Sequence, residues 1–149
     1  MMTGPEIDRL RTLRAFVFDM DGVIYRGGDV LPGAASVIWR LRDAGIPFVF
    51  LTNNGTTTPA NVAVRLEGMG IHVSPSEILT SAMATAELMF AELGGGKVLV
   101  VGEDGIRQAL LETGFSVTDD HADADAVVAS MDRHCTYAKM REATLAIRR

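Results

Sequence analysis

The sequence predicts an α/β fold built on a parallel sheet, and three observations lead there. Short apolar runs alternate with longer segments that repeat their apolar residues at helical spacing. Helical segments close on a glycine that leads straight into an apolar run, as in AGIPF, MGIHV and TGFSV. Two early apolar runs break off in polar residues, DMDG at 19–22 and TNNG at 52–55. Strands alternating with helices of this length imply βα units. In such open sheets ligands gather at the carboxyl ends of strands, so the two polar breaks are the first places to look for chemistry.

Each element has its own justification. The run 15–18 is continuous, apolar and partly aromatic or β-branched, which predicts a short buried strand. LPGAASVIWRLRDAG places Ala34, Val37, Ile38 and Leu41 at helical spacing before Gly45. IPFVFLTNN is the next buried strand. Thr58 before Pro59 is an N-cap and first helical position, and the helix continues through NVAVRLEG. IHV at 71–73 is a short strand. Ser74 with Glu77 forms a capping-box pattern and predicts a helix running through SPSEILTSAMATAELMFAEL, broken by Gly94–Gly96. KVLVV is a strand, DGIRQALLET a helix closed by Gly114, ADAVVAS a strand and TYAKMREATLAI a final helix.

The 149 residues carry a net charge of −5, are 48% hydrophobic and contain one cysteine. That balance suits one domain or pieces of two, and it argues against a general nucleic-acid binder, whose phosphate partner rewards basic surfaces. No stretch is long and apolar enough to span a bilayer, and the first residues lack the apolar core of a signal peptide, so the expected address is the cytoplasm. A lone Cys135 permits no internal disulfide.

Asp19 and Asp21, spaced by one residue at the end of a strand, can point the same way. Two close carboxylates repel, and the pair asks for a cation, a shared proton or plentiful water. Neighbouring parallel strands bring Thr52 and Asn53 to the same point. Carboxylates suited to Mg²⁺, with a hydroxyl and an amide for oxygens, make a site for phosphoryl chemistry.

DMDGVIYRG at 19–27 followed by LTNN at 51–54 resembles the haloacid-dehalogenase-like (HAD) phosphatases, in particular the NagD-like branch with a large class II cap. The likeness continues through TSAMATAELM, KVLVVGEDGI and MDRHCTYAKMREATLAI, nearly the whole chain. The resemblance implies a Rossmann-like core with a parallel sheet, of which residues 1–81 form the N-terminal part. Residues 82–149 would be the N-terminal part of an α/β cap. It implies a Mg²⁺-dependent phosphomonoester hydrolase acting on a small phosphorylated metabolite such as a nucleotide, sugar or glycolate phosphate. Asp19 would attack phosphorus and become an aspartyl phosphate. Asp21 would protonate the leaving alcohol and then help deprotonate water, and both aspartates would serve the metal. Thr52, Asn53 and NH groups near Gly22 would hold the phosphoryl group.

The sequence departs from the family in lacking, where they are expected, a later lysine and a Gly-Asp acidic motif. The only lysines are Lys97 and Lys139, both in the cap portion. Glu103 and Asp104 follow an apolar run, but Ile106, Arg107 and Gln108 stand where a further acid belongs. TDDHADAD is placed before its strand, away from the active edge, and reads as a solvated loop. The expectation is a chain that stops inside the cap, with too few core strands to cover its helices and an exposed sheet edge. The alternative function is therefore a catalytically incomplete product that binds only metal and phosphate, or that works through self-association or a complementing chain.

Other residues have plainer readings. His72, His121 and His134 show no metal-ligand spacing, and Cys135 is a packing residue near a helix start. The methionines fill core gaps. Arg26 either touches an anionic substrate or pairs with Asp29.

Overall fold

A computed structural model describes residues 12–149. The first eleven residues, including most of the segment examined for a signal peptide, lie outside the described residues. Two small parallel sheets organise the rest. In the first, β1 (Phe16–Asp19) pairs with β4 (Phe48–Thr52), and β4 with β5 (Ile78–Thr80). Its register sets Asp19 beside Leu51 and Thr52 beside Thr80, which aligns the carboxyl ends of all three strands. Between β1 and β4 lie a hairpin and a helix, β2 (Tyr25–Arg26), β3 (Asp29–Val30) and α1 (Ala34–Asp43); α2 (Pro59–Gly68) follows β4. Thr58 caps α2 by accepting from the Asn61 N–H at 3.2 Å, with Pro59 in the first turn, as the sequence predicts.

Helices α1 and α2 pack on one face of this sheet. Phe50 is fully buried there among Met20, Ile24, Ile38, Val62, Leu66, Ile71 and Ile78. The opposite face stays open: Val17 is 62% exposed, Leu51 38% and Leu79 39%. Parallel sheets ordinarily bury both faces, so this surface is unusual for its class.

The second sheet has order β7 (Phe115–Thr118), β6 (Gly96–Val101), β8 (Ala126–Ala129). Here both faces are covered. Val98 and Val100 point toward α3 (Ser81–Leu93) and α4 (Asp104–Thr113), with Ala86, Ile106 and Leu110. Leu99 and Val101 point the other way, against Ala143 of α5 (Tyr137–Ile147). The alternation of a fully apolar strand between two helical layers is why β6 reads as a continuous apolar run.

Three sequence expectations are corrected. The Ser74–Glu77 capping box exists, but it closes a single 3₁₀ turn, Pro75–Glu77, and the chain then extends as β5. The helix begins one strand later, where Thr80 accepts from the Met83 N–H at 3.2 Å. Pairing with β4 overrides the local helix signal, because Ile78 and Thr80 gain a buried face there. Residues 71–73 form no strand; the Ile71 N–H instead bonds back to the Leu66 carbonyl and closes α2. The hairpin β2–β3, turning at Gly27–Gly28 with φ +61° at Gly27, is an added element whose two-glycine turn is a recognised hairpin signal. Across it Arg26 stands opposite Asp29.

Candidate phosphoryl site at the carboxyl edge of the first sheet

The chain leaves β1 through a tight turn built on Met20. Its side chain is buried, and its carbonyl receives the N–H groups of Val23, Ile24 and Tyr25. This anchors the turn and leaves Asp19 and Asp21, on either side of Met20, exposed. Asp19 Oδ1 accepts the Met20 N–H at 2.8 Å, which ties one oxygen of the carboxylate to the turn. Gly22 adopts φ +84°, and its N–H bonds to the Tyr25 carbonyl at 2.7 Å. Gly22 therefore contributes the shape of the turn, its own amide being engaged.

Tyr25 is a site residue that the sequence did not single out. A backbone bridge sets it beside Asp21. Burial pushes its phenol above the ordinary value of 10.0, and the negative charge of Asp21, with a smaller effect from Asp19, pushes it further. The Arg65 guanidinium lies over the Tyr25 ring at 4.3 Å and bonds to the Gly27 carbonyl, bracing the hairpin against α2.

On the neighbouring strand Thr52 is buried and accepts the Asn54 N–H at 3.1 Å, which leaves its hydroxyl proton to donate. Asn53 is exposed, and its carbonyl accepts from Ser81 Oγ at 2.9 Å. Asn54 Oδ1 accepts both the N–H and the hydroxyl of Thr56, at 2.9 and 2.6 Å. Thr56 in turn is held by the second sheet: its carbonyl accepts the Gly105 N–H at 3.2 Å and its hydroxyl accepts from Arg133 at 3.2 Å. Beside this loop lies a cavity of about 240 Å³ lined by Met20, Tyr25, Thr52, Asn54, Arg65 and Arg133, among others. Arg133 is 77 residues from Thr56 in sequence, and no local pattern marks it.

The remaining candidates lie elsewhere. Lys97 pairs with Asp123 at 3.2 Å and Lys139 with Asp132 at 2.7 Å, both in the second half of the chain. The Glu103 carboxylate is taken up by Arg133, which donates through Nε, a terminal nitrogen and its backbone N–H, and this holds Glu103 below the usual carboxylate range. Glu103 is thus committed to a guanidinium and does not stand in for a metal acid. The acidic stretch 118–125 follows the carboxyl end of β7 as well as leading into β8, contrary to the sequence reading of its polarity. Within it His121 Nδ1 lies 2.5 Å from Glu142 Oε2, with Asp120 Oδ1 3.7 Å away. Cys135 is exposed ahead of α5, which corrects its reading as a packing residue.

Comparison with known proteins adds four findings. The profile of the haloacid dehalogenase-like hydrolases matches residues 16–116. Acid sugar phosphatase of Staphylococcus haemolyticus is 39% identical over 94% of this chain and 53% of its own length. The 5'-nucleotidase YutF of Bacillus subtilis is 36% identical over 93% of this chain and 54% of its own. Among solved structures, NagD of Escherichia coli K-12 superposes with a TM-score of 0.82 at 33% identity, covering 91% of this chain and 53% of that one. The chain thus spans about half the length of the curated relatives it matches.

Proposed function

The chain belongs to the haloacid dehalogenase-like hydrolases, and we propose on that premise that it carries the nucleophile half of a phosphomonoesterase site. The observation that supports this most directly is register: Asp19 and Thr52 end adjacent parallel strands at one sheet edge, and Asp21 follows Asp19 in a turn bridged to Tyr25. In this reading the exposed carboxylate of Asp19, one oxygen of which is held by the Met20 N–H, attacks phosphorus through its other oxygen. The ester bond to the leaving oxygen breaks as Asp21 gives that oxygen a proton, yielding an alcohol and a phosphoryl group on Asp19. Asp21 then takes a proton from water, whose oxygen attacks the same phosphorus and returns Asp19 as a carboxylate. The Thr52 hydroxyl, with its proton free to donate, and Asn53 hold the phosphoryl oxygens through both steps.

The donor set fits a hard divalent cation. The exposed carboxylate of Asp19 and the backbone carbonyl of the equally exposed Asp21 are the hard oxygen donors that Mg²⁺ prefers. Asp19 and Asp21 are the residues that would hold it, and Mg²⁺ would supply charge neutralisation at the phosphoryl oxygens. The substrate in this proposal is a small organic phosphate; the names of the relatives point to sugar phosphates and 5'-nucleotides. Residues 1–81 form the core portion and 82–149 the cap portion of this reading, and a cytoplasmic address accompanies it. No helix among the described residues is long and apolar enough to cross a membrane.

A second reading rests on a separate observation. Both lysines are ion-paired in the second half of the chain, and the open face of the first sheet leaves Val17, Leu51 and Leu79 exposed. A complementing polypeptide, or self-association, would cover that face and supply the missing cation. Hydrolysis of p-nitrophenyl phosphate with Mg²⁺, beside Asp19→Asn, tests the choice. Turnover lost in the variant supports a working site, whereas no turnover in either favours a chain that needs completion.

A further inference from the structure

The loop that follows β4 is controlled from the other sheet. Arg133 is clamped by Glu103, with Nε 3.0 Å from Oε1 and a terminal nitrogen 2.9 Å from Oε2. The same terminal nitrogen donates to the Thr56 hydroxyl at 3.2 Å. Since a guanidinium can only donate, the Thr56 oxygen must accept there and send its own proton onward, to Asn54 Oδ1 at 2.6 Å. The Thr56 backbone N–H, also an obligatory donor, meets the same Oδ1 at 2.9 Å. The carboxamide of Asn54 can therefore face only one way, with its oxygen toward Thr56 and its two N–H donors away from it. The Asn54 backbone N–H meanwhile takes one lone pair of Thr52 Oγ1 and leaves the Thr52 proton free to donate.

Two close approaches make this loop intolerant of alternatives. A Cβ on Gly105 would lie 2.5 Å from the Thr57 carbonyl oxygen and 2.6 Å from that of Gly55, and one on Gly55 would lie 2.9 Å from Ser130 Oγ. The loop is pressed against α4 and the end of β8, so its backbone has little freedom to compensate for a lost partner.

We propose that Arg133 is a positioning residue for the phosphate-binding loop: held by Glu103, it directs the Thr56 hydroxyl onto Asn54 and so presents the Asn54 and Thr52 donors to a phosphoryl group. This deepens the phosphatase reading and rests on it. Arg133 acts through Thr56 without touching the reacting atoms. It also means that the second sheet, wherever it sits during turnover, reports directly to the loop that holds phosphate.

The test is calorimetric titration of the 149-residue chain with inorganic phosphate in the presence of Mg²⁺, together with the ¹⁵N–¹H signals of the Asn54 side-chain amide. Arg133→Lys, which keeps the charge and loses the fork, and Thr56→Val, which loses the hydroxyl, are each expected to weaken phosphate about tenfold. The double variant is expected to be no weaker than either single one, and Thr56→Ser to stay within about twofold of the parent. The Asn54 amide signals should move in Arg133→Lys and Thr56→Val and hold in Thr56→Ser. Arg42→Lys, which perturbs the distant Arg42–Glu77 pair, controls for general destabilisation and should leave both readouts in place. Weakening by Arg133→Lys alone, with Thr56→Val unaffected, would overturn the proposal by placing Arg133 on the anion itself. Unmoved Asn54 signals would overturn it as well. If the parent chain binds no phosphate, the phosphatase reading fails for this chain, and the Asn54 signals still decide whether Arg133 positions the loop.

Discussion

Tyr25 pairs with Asp21 across an isolated backbone bridge, so a buried phenol belongs to the same turn as the second aspartate of DMDG. Burial first, and the carboxylates of Asp21 and Asp19 after it, make this phenol harder to ionise, with Arg65 over its ring working in the opposite sense. The folded protein thus holds the Tyr25 proton more tightly than the unfolded chain, whose tyrosine ionises near 10.0. The stability this provides is complete below that pH and is lost as pH rises through the folded value. An absorbance titration should show a phenolate step above the ordinary range that disappears in Tyr25→Phe. A difference between parent and Tyr25→Phe that lies at the ordinary tyrosine position would count against the raised phenol, since the second tyrosine, Tyr137, is common to both proteins.

Glu103 makes the opposite prediction at the acid end. Its bond to Arg133 holds it below the usual carboxylate range, so the stability it contributes is present above that range and fades as pH falls through the depressed value. Glu103→Gln should flatten the acid limb of a thermal-unfolding profile below the ordinary carboxylate range relative to the parent. Parallel profiles for the two proteins would show that the pair adds nothing to stability.

Gly105→Ala should be costly for a reason unrelated to helix propensity. The new methyl would meet backbone atoms of Gly55 and Thr57 at 2.5–2.7 Å, so α4 or the loop must move. A loss of about 1–3 kcal/mol in urea unfolding is expected, against a small gain if alanine merely improved the helix.

Phe50→Ala tests the first core. The ring is fully buried and meets Phe18 and Phe48 at centroid separations of 6.0 and 5.6 Å. About 3–5 kcal/mol should be lost on removing it. A loss below ~1 kcal/mol would mean that the sheet and its helices are not packed as described.

The open sheet face should make the chain associate. Val17, Leu51 and Leu79 form an exposed apolar strip across three parallel strands, and such surfaces attract partners or copies. Sedimentation of the isolated chain is expected to depend on concentration and to become less so in Val17→Lys. A monomeric species with sharply cooperative unfolding in the parent would contradict this expectation.

Much of the architecture was legible in the sequence because it depends on short-range chemistry. The runs 15–18, IPFVFLTNN and KVLVV, the Thr58–Pro59 start and the glycine stops at 45, 94 and 114 carry their signals within a few residues, and the structure has strands at 16–19, 48–52 and 96–101 and turns at those glycines, within a residue or two of where the signals put them. The pairing of Asp19 with the end of β4 follows from the same local logic, since parallel neighbours align their carboxyl ends. Family membership was legible too, because DMDG and LTNN carry it as ordered motifs.

Tertiary structure alone decided what depends on partners distant in the chain. Whether 78–80 became strand or helix turned on the vacant edge of β4, against which a good local capping box had no advantage. Tyr25 became part of the site because the hairpin folds it back onto Asp21, and Arg133 because β8 ends beside the Thr56 loop. A sequence specifies its own turns and periods through contacts only a few residues apart. The placing of a guanidinium on a hydroxyl 77 positions away is settled only when two sheets have packed, and that packing determines which way the donors of the site point.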